Sequence, residues 1–424
     1  MKETLYICLF LSFIILTACN KDDETIKPSI EEEMENPEPN DEERFILQPE
    51  ETTNFMVDPA ATPETVALFY NLKINSETSF VVGQQDALAA FYQNLAGDAD
   101  MKKTTGSNPG LLGSDFMFIT DDQNNENPEN WFYQQELKIT SDAISAYNQG
   151  MINTFCWHFR EPYEGKSFYT SEMTSFQKFN AFKSILPGGE NHEYYKLKLQ
   201  KVAQVAQNFI GANGSLAPVI FRPFHEFDKD FFWWGNIYST PEEFKEVWRF
   251  TVEYLRDELK VHNFLYAFSP DNSYLSKEAY LSRYPGDEYV DVVGMDNYGD
   301  IISQDEVGIS IANEKLKVVS DLALEKVKVA AFTETGYFVN PFENSLTENF
   351  YTENIYQVLT ANNIEIAYMI FWQNYTDSYT VPTPGMPGEQ DFIDFSLKED
   401  VLLLKNMPDM YSFPEQMAAR IRLN

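Results

Sequence analysis

The sequence is poor in cysteine, in histidine and in positive charge. Its 424 residues include 3 cysteines and 4 histidines, and 31 lysines and arginines stand against 66 aspartates and glutamates, for a net charge of −35. Nucleic acids and anionic lipid surfaces need a basic partner, so we expect neither as a ligand. Cys8 lies in an apolar N-terminal run and Cys19 closely follows that run, which leaves Cys156 without a partner. We therefore predict no disulfide.

The N-terminal apolar run is too short to cross a membrane. It extends from Ile7 to Leu16 and has the layout of a signal peptide, which we predict over residues 1–18. The tetrapeptide Leu16-Thr-Ala-Cys19 resembles a bacterial lipobox, which predicts lipidation of Cys19. The charged stretch Asn20-Lys-Asp-Asp-Glu24 resembles the signal that some Bacteroidetes lipoproteins use to reach the cell surface. We therefore expect an outer-membrane lipoprotein exposed at the cell surface.

A change in composition near residue 45 divides the remaining chain. Residues 19–44 have few large apolar side chains and carry acidic runs at 31–33 and 41–43, so they bury too little surface to fold. We interpret them as a lipidated acidic tether. From Phe45 the composition is globular, and 43% apolar residues can build a large core. This predicts one domain over residues 45–424.

Within that domain, eight short apolar runs alternate with longer amphipathic segments. Residues 192–210 have helical spacing, and Thr240-Pro-Glu-Glu243 has the capping box and the proline of a helix start. Eight strands with helical crossovers predict an α/β fold, the (β/α)8 TIM barrel, whose active site lies at the C-terminal ends of the strands. The predicted strands are 79–83, 111–113, 151–157, 219–224, 263–268, 290–295, 327–332 and 366–372.

Polar and aromatic side chains follow nearly every predicted strand. The most informative stretch is Phe221-Arg-Pro-Phe-His-Glu226, which Trp233-Trp-Gly235 follows. It offers a carboxyl group, donors to orient that group and flat rings that suit a sugar. Glycoside hydrolysis needs a second carboxyl group across the scissile bond, and Glu334 follows the seventh predicted strand on roughly the opposite wall. We predict that aromatic surroundings raise the pKa of Glu226, the acid and then base, and that Glu334 is the ionised nucleophile, about 5–5.5 Å away.

These motifs resemble glycoside hydrolase family 26, a group of β-mannanases with relatives that act on other β-glycans. The resemblance covers the chain from about Gly83 to the end of the barrel. It is carried by the stretch around Glu226, by Glu334-Thr-Gly336, by Trp157-His158 and by Gly294-x-Asp296-x-Tyr298. It implies a retaining mechanism, and we add Asp296 as a substrate-binding candidate. The resemblance further implies a −1 subsite of His158, Arg222, His225, Trp234, Tyr298 and Trp372.

The resulting hypothesis is a monomeric, retaining endo-β-1,4-mannanase that acts on mannan, glucomannan or galactomannan. Alternatives within the family are an exo-acting enzyme that releases mannobiose, a β-glucanase and a xylanase. A further alternative is a non-catalytic surface glycan-binding protein, although the chain retains Glu226 and Glu334. It departs from the family at Asp228-Lys229, where Asn-Gly is usual, which bears on subsite preference.

We expect no cofactor and no catalytic metal, because no histidine and carboxylate cluster has metal-ligand spacing. A Ser-His-Asp hydrolase is also disfavoured, because the sequence lacks a nucleophile elbow. The only membrane contact that we expect is the lipid anchor.

Overall fold

Eight parallel strands form a closed barrel in the computed structural model, which describes residues 45–414. The strands pair in the order β2-β3-β4-β5-β6-β7-β8-β1, and β1 also pairs with β2. This confirms the predicted (β/α)8 TIM barrel. The strands are β1 (Phe80–Gln85), β2 (Leu111–Asp115), β3 (Ile152–Cys156), β4 (Val219–Arg222), β5 (Phe264–Phe268), β6 (Val292–Asp296), β7 (Val329–Thr335) and β8 (Tyr368–Phe371).

A short ninth strand, β9 (Val401–Leu402), pairs in parallel with the start of β1. It has two residues, and its pattern in the sequence did not predict a strand. The helices of the described segment are α1 (Pro63–Asn75), α2 (Asp100–Thr105), α3 (Trp131–Gln149), α4 (Ser175–Ser184), α5 (His192–Ala206), α6 (Pro241–Glu253), α7 (Lys277–Tyr280), α8 (Glu306–Lys326), α9 (Tyr356–Thr360) and α10 (Glu389–Ser396).

Helix α6 begins as its sequence predicts. The Thr240 side chain accepts a hydrogen bond from the backbone N–H of Glu243 at 3.2 Å, and the Glu243 carboxylate accepts one from the backbone N–H of Thr240 at 2.8 Å. Helix α5 is shorter than predicted. It ends at Ala206 because Ile210 forms an isolated antiparallel bridge with Leu216, which turns the chain into β4.

Helix α1 closes the barrel at the end where the strands begin. One buried apolar cluster joins Leu68 and Phe69 of α1 to Leu111, Ile152 and Val292, which are the first residues of β2, β3 and β6. The opposite end of the barrel, where the strands finish, is left for the polar side chains that follow them.

Within residues 45–414, no helix is both long and apolar enough to cross a membrane. The predicted signal peptide, the lipidation of Cys19 and the tether over residues 19–44 lie outside the described residues.

Candidate active site

Four charged side chains meet at the C-terminal end of the barrel. Arg222 ends β4, Asp296 ends β6, and Glu334 is the last residue but one of β7. Glu226 lies in the turn that follows β4, and its backbone N–H is fixed by the carbonyl of Ser269 at 2.9 Å. Because the strands are parallel, their final residues share one rim of the barrel, and this rim gathers residues that are far apart in sequence.

A buried ion network occupies the centre of this rim. Arg222 donates from Nη1 to Asp296 and from Nη2 to Glu334. Asp296 also accepts a hydrogen bond from the Thr333 hydroxyl at 2.6 Å, so both of its oxygen atoms are engaged. Burial lowers the pKa of Arg222, but the carboxylates of Asp296 and Glu334 outweigh it and hold that pKa well above its usual value. The guanidinium therefore stays charged and balances the two carboxylates.

The two predicted catalytic glutamates have different surroundings. Glu334 accepts hydrogen bonds from Arg222 and from the Tyr298 hydroxyl, the latter at 2.9 Å. The carboxyl of Glu226 makes no hydrogen bond to the described residues. Burial, followed by the nearness of Glu334 and Asp296, raises the pKa of Glu226 well above its usual value. Glu334 is thus oriented by two donors, whereas burial favours the protonated form of Glu226.

The spacing of these carboxyl groups bears on the chemistry. Oxygen atoms of Glu226, Asp296 and Glu334 all lie within 4.8 Å of one another. Retaining glycosidases hold their two carboxyl groups about 5–5.5 Å apart, whereas inverting ones leave about 6.5–9.5 Å for a water molecule. The observed spacing is suited to retention. Three close carboxylates also resemble a cation site, but Arg222 already supplies the positive charge and binds two of them.

Two histidines lie edge to face beside this network. Nε2 of His158 is 3.2 Å from Nε2 of His225, and Nδ1 of His158 is 2.6 Å from the carboxylate of Asp115. Both ring nitrogens of His158 are therefore engaged by protein atoms. His225 is fully buried, and burial, with Arg222 and His158 nearby, holds its pKa well below the usual value.

The tryptophans after β4 lie behind the cleft rather than on its surface. Both are fully buried; Trp234 donates from Nε1 to the carbonyl of His225, and Trp233 donates to the carbonyl of Phe159, each at 2.7 Å. The predicted sugar contacts of Trp234 and His225 stay predictions, because in this structure these residues support the turn that carries Glu226.

A cleft of about 640 Å³ opens above the two glutamates. It brings together the predicted residues Glu226, Glu334, His158, Tyr298 and Trp372. Arg222 and Asp296 are buried and do not line it. Its remaining lining is Tyr169, Phe231, Phe232, Ile302, Gly336, Tyr337, Phe338, Asn344 and Tyr375. An aromatic-lined cleft with two carboxyl groups at its base suits an elongated sugar chain.

Comparison with known proteins identifies the family. The profile of Glycosyl hydrolase family 26 matches residues 57–376. A mannan endo-1,4-β-mannosidase of Bifidobacterium adolescentis is 32% identical over 354 residues, which cover 80% of this chain and 34% of the relative. The structure of GH26C from Muricauda sp. MAR_2010_75 is 57% identical, with a TM-score of 0.86, over 87% of this chain and 99% of that one. The chain belongs to glycosyl hydrolase family 26.

A further structure of family 26 has the same architecture. The β-mannanase BoMan26A from Bacteroides ovatus is 28% identical to this chain, with a TM-score of 0.72, over 84% of this chain and 98% of that one. The B. adolescentis relative is much longer, and this chain spans about a third of its length, 34%.

Where this family 26 chain has Asp228 and Lys229, the two side chains join the loops after β4 and β5. The Asp228 carboxylate accepts hydrogen bonds from the backbone N–H groups of Asp271 at 2.6 Å and Ser273 at 2.8 Å. Lys229 donates to the Asn272 side chain at 2.7 Å. The pair thus fixes the loops beside Glu226. These contacts are made by the two residues that stand where the family usually has Asn-Gly.

Sequence reasoning missed several residues of this family 26 site. Asp115 ends β2, and the sequence shows it among the polar residues that follow the strands, but its pairing with His158 was not predicted. Tyr169, Phe338 and Tyr375 come from long loops, and no local pattern marks them. Backbone pairing positions these loops, because Tyr169 forms an antiparallel bridge with Phe232 of the loop after β4.

Proposed function

We propose that this protein is a retaining endo-β-1,4-mannanase that hydrolyses mannan, glucomannan or galactomannan. The observation that carries this proposal is the pair Glu226 and Glu334, whose oxygen atoms lie within 4.8 Å at the base of the aromatic cleft. The mannan endo-1,4-β-mannosidase of B. adolescentis supports the substrate class, because it is 32% identical to 80% of this chain.

In the first step, Glu334 attacks the anomeric carbon while Glu226 gives its proton to the glycosidic oxygen. The leaving sugar departs with that proton, and the glycosyl group is bound covalently to Glu334. Arg222 and Tyr298 each donate to one oxygen atom of Glu334, which fixes the carboxylate where it lines the cleft. The raised pKa of Glu226 favours the protonated form that the first step needs.

In the second step, Glu226, now ionised, takes a proton from a water molecule, which attacks the anomeric carbon and releases Glu334. Two inversions give net retention. His158, Tyr298 and Trp372 line the cleft where the reacting sugar lies, and Arg222, His225, Trp234 and Asp296 support this −1 subsite from beneath.

The assay that tests this function is product analysis on mannan, glucomannan, lichenan and xylan. An endo-mannanase gives a mixture of manno-oligosaccharides and a rapid loss of viscosity. Mannobiose as the sole early product would establish the exo-acting alternative, and hydrolysis of lichenan or xylan alone would establish a glucanase or xylanase. Binding without hydrolysis would favour the non-catalytic alternative.

The Glu334→Ala variant provides the mechanistic control. It is expected to lose hydrolysis of every substrate, because no covalent intermediate forms without the carboxylate. With an activated glycoside, added azide occupies the vacated space and should give a glycosyl azide of inverted configuration. Wild-type hydrolysis by this variant would overturn the assignment of the nucleophile.

We also propose that the protein is a monomeric lipoprotein of the outer membrane, acylated at Cys19 and exposed at the cell surface. The motif Leu16-Thr-Ala-Cys19 supports acylation, and the acidic stretch after it supports a tether that holds the barrel away from the membrane. Protease treatment of intact cells should remove the enzyme, and Cys19→Ala should release it from the membrane fraction. Digestion only after lysis would place the protein in the periplasm.

A further inference from the structure

A row of three side chains leads from strand β2 to the proposed acid. Asp115 lies 2.6 Å from Nδ1 of His158, and Nε2 of His158 lies 3.2 Å from Nε2 of His225. His225 is the residue before Glu226 in the chain. The row therefore links the rim of the barrel at β2 to the backbone that carries the acid.

The hydrogen bonds of Asp115 fix the proton on His158. Oδ1 of Asp115 accepts the backbone N–H of Met117 at 2.8 Å and that of His158 at 3.1 Å, which leaves Oδ2 for the imidazole. An ionised carboxylate acts only as an acceptor, so the hydrogen of the 2.6 Å contact lies on the ring. Nδ1 of His158 therefore carries a hydrogen. The 3.2 Å contact between Nε2 of His158 and Nε2 of His225 needs one hydrogen, so one ring donates there and the other accepts.

The burial of His225 fixes the second proton. Its ring is fully buried and neutral, so it carries one hydrogen. With that hydrogen on Nε2, His225 donates to Nε2 of His158. Nδ1 of His225 then carries no hydrogen and has only a lone pair. Nδ1 of His225 indeed has no hydrogen-bond partner among residues 45–414. The other tautomer would bury an unpaired N–H group, which is the costlier arrangement.

The turn that His225 belongs to is strained. Phe224 and Glu226 have φ values of 50° and 54°, in the left-handed region that residues other than glycine rarely adopt. Each such residue costs about 1–3 kcal/mol and persists only where its surroundings hold it. The carbonyl of His225 accepts a hydrogen bond from the Trp234 indole N–H at 2.7 Å, and the imidazole ring of His225 contacts that of His158. The row thus holds the residue between the two strained positions.

We propose that Asp115 and His225 are positioning residues for Glu226: Asp115 fixes the tautomer of His158, which anchors His225 and the turn that directs the acid at the glycosidic oxygen. The inference rests on the proposed role of Glu226. Neither Asp115 nor His225 lines the cleft, so both act through other residues.

The Asp115→Asn variant tests this arrangement. If the amide oxygen keeps its two backbone partners, the amide N–H group faces Nδ1 of His158, and two donors oppose each other. His158 is then expected to carry its hydrogen on Nε2, where it meets the donor of His225 and breaks the row. The same exchange of tautomer follows from removing the charge of a histidine-orienting aspartate in other enzymes.

The chain offers a matched control at the other end of the barrel. Asp58 accepts the backbone N–H of Ala60 and Nδ1 of His262, both at 2.8 Å, which reproduces the chemistry of the Asp115 contact. His262 precedes β5, on the side where the strands begin. Asp58→Asn therefore removes an equivalent contact between an aspartate and a histidine, away from the glutamates.

The first readout is independent of activity. With the four histidines labelled with ¹⁵N and assigned by single histidine variants, the ring-nitrogen shifts should show Nδ1 of His158 and Nε2 of His225 protonated in the wild type. In Asp115→Asn, the protonated nitrogen of His158 should change to Nε2. A wild-type protein in which Nδ1 of His158 carries no hydrogen would overturn the proposal.

The second readout is the dependence on leaving group. Asp115→Asn should lower kcat/KM on mannan on the order of 10²-fold, at the low end of what a general acid contributes, and on a dinitrophenyl mannobioside by less than about tenfold. His225→Asn should give the same selective loss if Asp115→Asn folds poorly. Asp58→Asn should leave the ratio of the two substrates at the wild-type value.

Equal losses on both substrates for Asp115→Asn would show a merely structural role and overturn the proposal. A wild-type protein that cleaves neither substrate would instead refute the proposed function, and the nitrogen shifts would still decide the histidine arrangement.

Discussion

Arg222 and Glu334 form a buried ion pair in which Nη2 of the guanidinium donates to Oε2 of the carboxylate. Glu226 lies within 4.8 Å of Glu334, but its own carboxyl has no such donor within the described residues. One carboxyl group is therefore stabilised as an anion, while burial favours the protonated form of the other. This difference supports the proposed roles of Glu334 as the nucleophile and Glu226 as the acid.

Replacing Arg222 should damage both stability and catalysis. Arg222→Gln leaves Asp296 and Glu334 buried without a balancing charge, which is expected to lower the free energy of unfolding by about 3–5 kcal/mol. The variant should also lose nearly all mannan hydrolysis, because Glu334 loses the donor that orients it. Thermal melting and initial rates measure the two effects.

Arg283 is the control for that experiment. It is also buried, but it donates to the hydroxyl and carbonyl of Ser239 and to the carbonyls of Asn236 and Thr240 rather than to a catalytic group. Arg283→Gln should lower the melting temperature while the folded enzyme keeps its kcat/KM. Full activity in Arg222→Gln would contradict the assigned role.

The Tyr298 hydroxyl should matter for rate more than for stability. Tyr298→Phe removes the 2.9 Å hydrogen bond to Glu334, and a hydrogen bond to a charged group contributes about 1.5–3 kcal/mol. We expect kcat to fall roughly 10- to 100-fold, since about 1.4 kcal/mol corresponds to a factor of ten. Single-turnover measurement of the glycosylation step isolates this effect.

Tyr280→Phe is the matched variant for Tyr298→Phe. The Tyr280 hydroxyl donates to the carbonyls of Gly294 at 2.9 Å and Phe268 at 3.2 Å, away from the cleft. Its loss should lower the melting temperature and leave the glycosylation rate unchanged. An equal loss of rate in both variants would mean that Tyr298 acts only through the fold.

Much of this site could be predicted because parallel strands collect their final residues at one rim. Glu226 and Glu334 each follow an apolar run, so the barrel brings them together whatever the lengths of the loops. The positions of His225 and Trp234 could not be predicted in this way. The positive φ values at Phe224 and Glu226 shape the turn around His225, and Trp234 is placed by its hydrogen bond to the His225 carbonyl. No spacing rule encodes such a turn.

The residues of the cleft walls also could not be predicted from local sequence patterns. Val339 and Tyr379 form an antiparallel bridge between the loops after β7 and β8, and both backbone hydrogen bonds of this bridge are present. Contacts between loops far apart in sequence thus place Phe338 and Tyr375 on the wall. Periodicity within either loop carries no information about its partner.

The pH dependence of activity should report the proton of Glu226. Its pKa is raised by burial and then by Glu334, Asp296 and Asp271, with Arg222 opposing, so kcat/KM on mannan should fall as the pH rises through that raised pKa. With a dinitrophenyl mannobioside, Glu226→Ala should retain glycosylation and lose this alkaline limb, because the leaving group needs no proton.

An alkaline limb that persists in Glu226→Ala would identify another titrating group. Asp271 is the first to consider, because burial, followed by the carboxylate of Asp228, raises its pKa to about 6. Asp271→Asn separates the two explanations: the limb should remain in this variant if Glu226 is its source.

The same raised pKa predicts how stability depends on pH. In the unfolded chain Glu226 titrates near its ordinary pKa of about 4.3, so the folded protein holds its proton to higher pH. The contribution of Glu226 to stability is fully present below the unfolded pKa. Above it, the free energy of unfolding falls by up to about 1.4 kcal/mol per pH unit until the folded pKa is passed.

The Glu226→Gln variant tests this dependence, because its side chain cannot ionise. Its melting temperature should therefore match the wild type near pH 4 and exceed it near pH 8, whereas the exposed control Glu348→Gln should follow the wild type at both. Parallel melting curves of wild type and Glu226→Gln across this range would show that Glu226 ionises as readily in the folded protein as in the unfolded chain, and the acid role would then lack its physical basis.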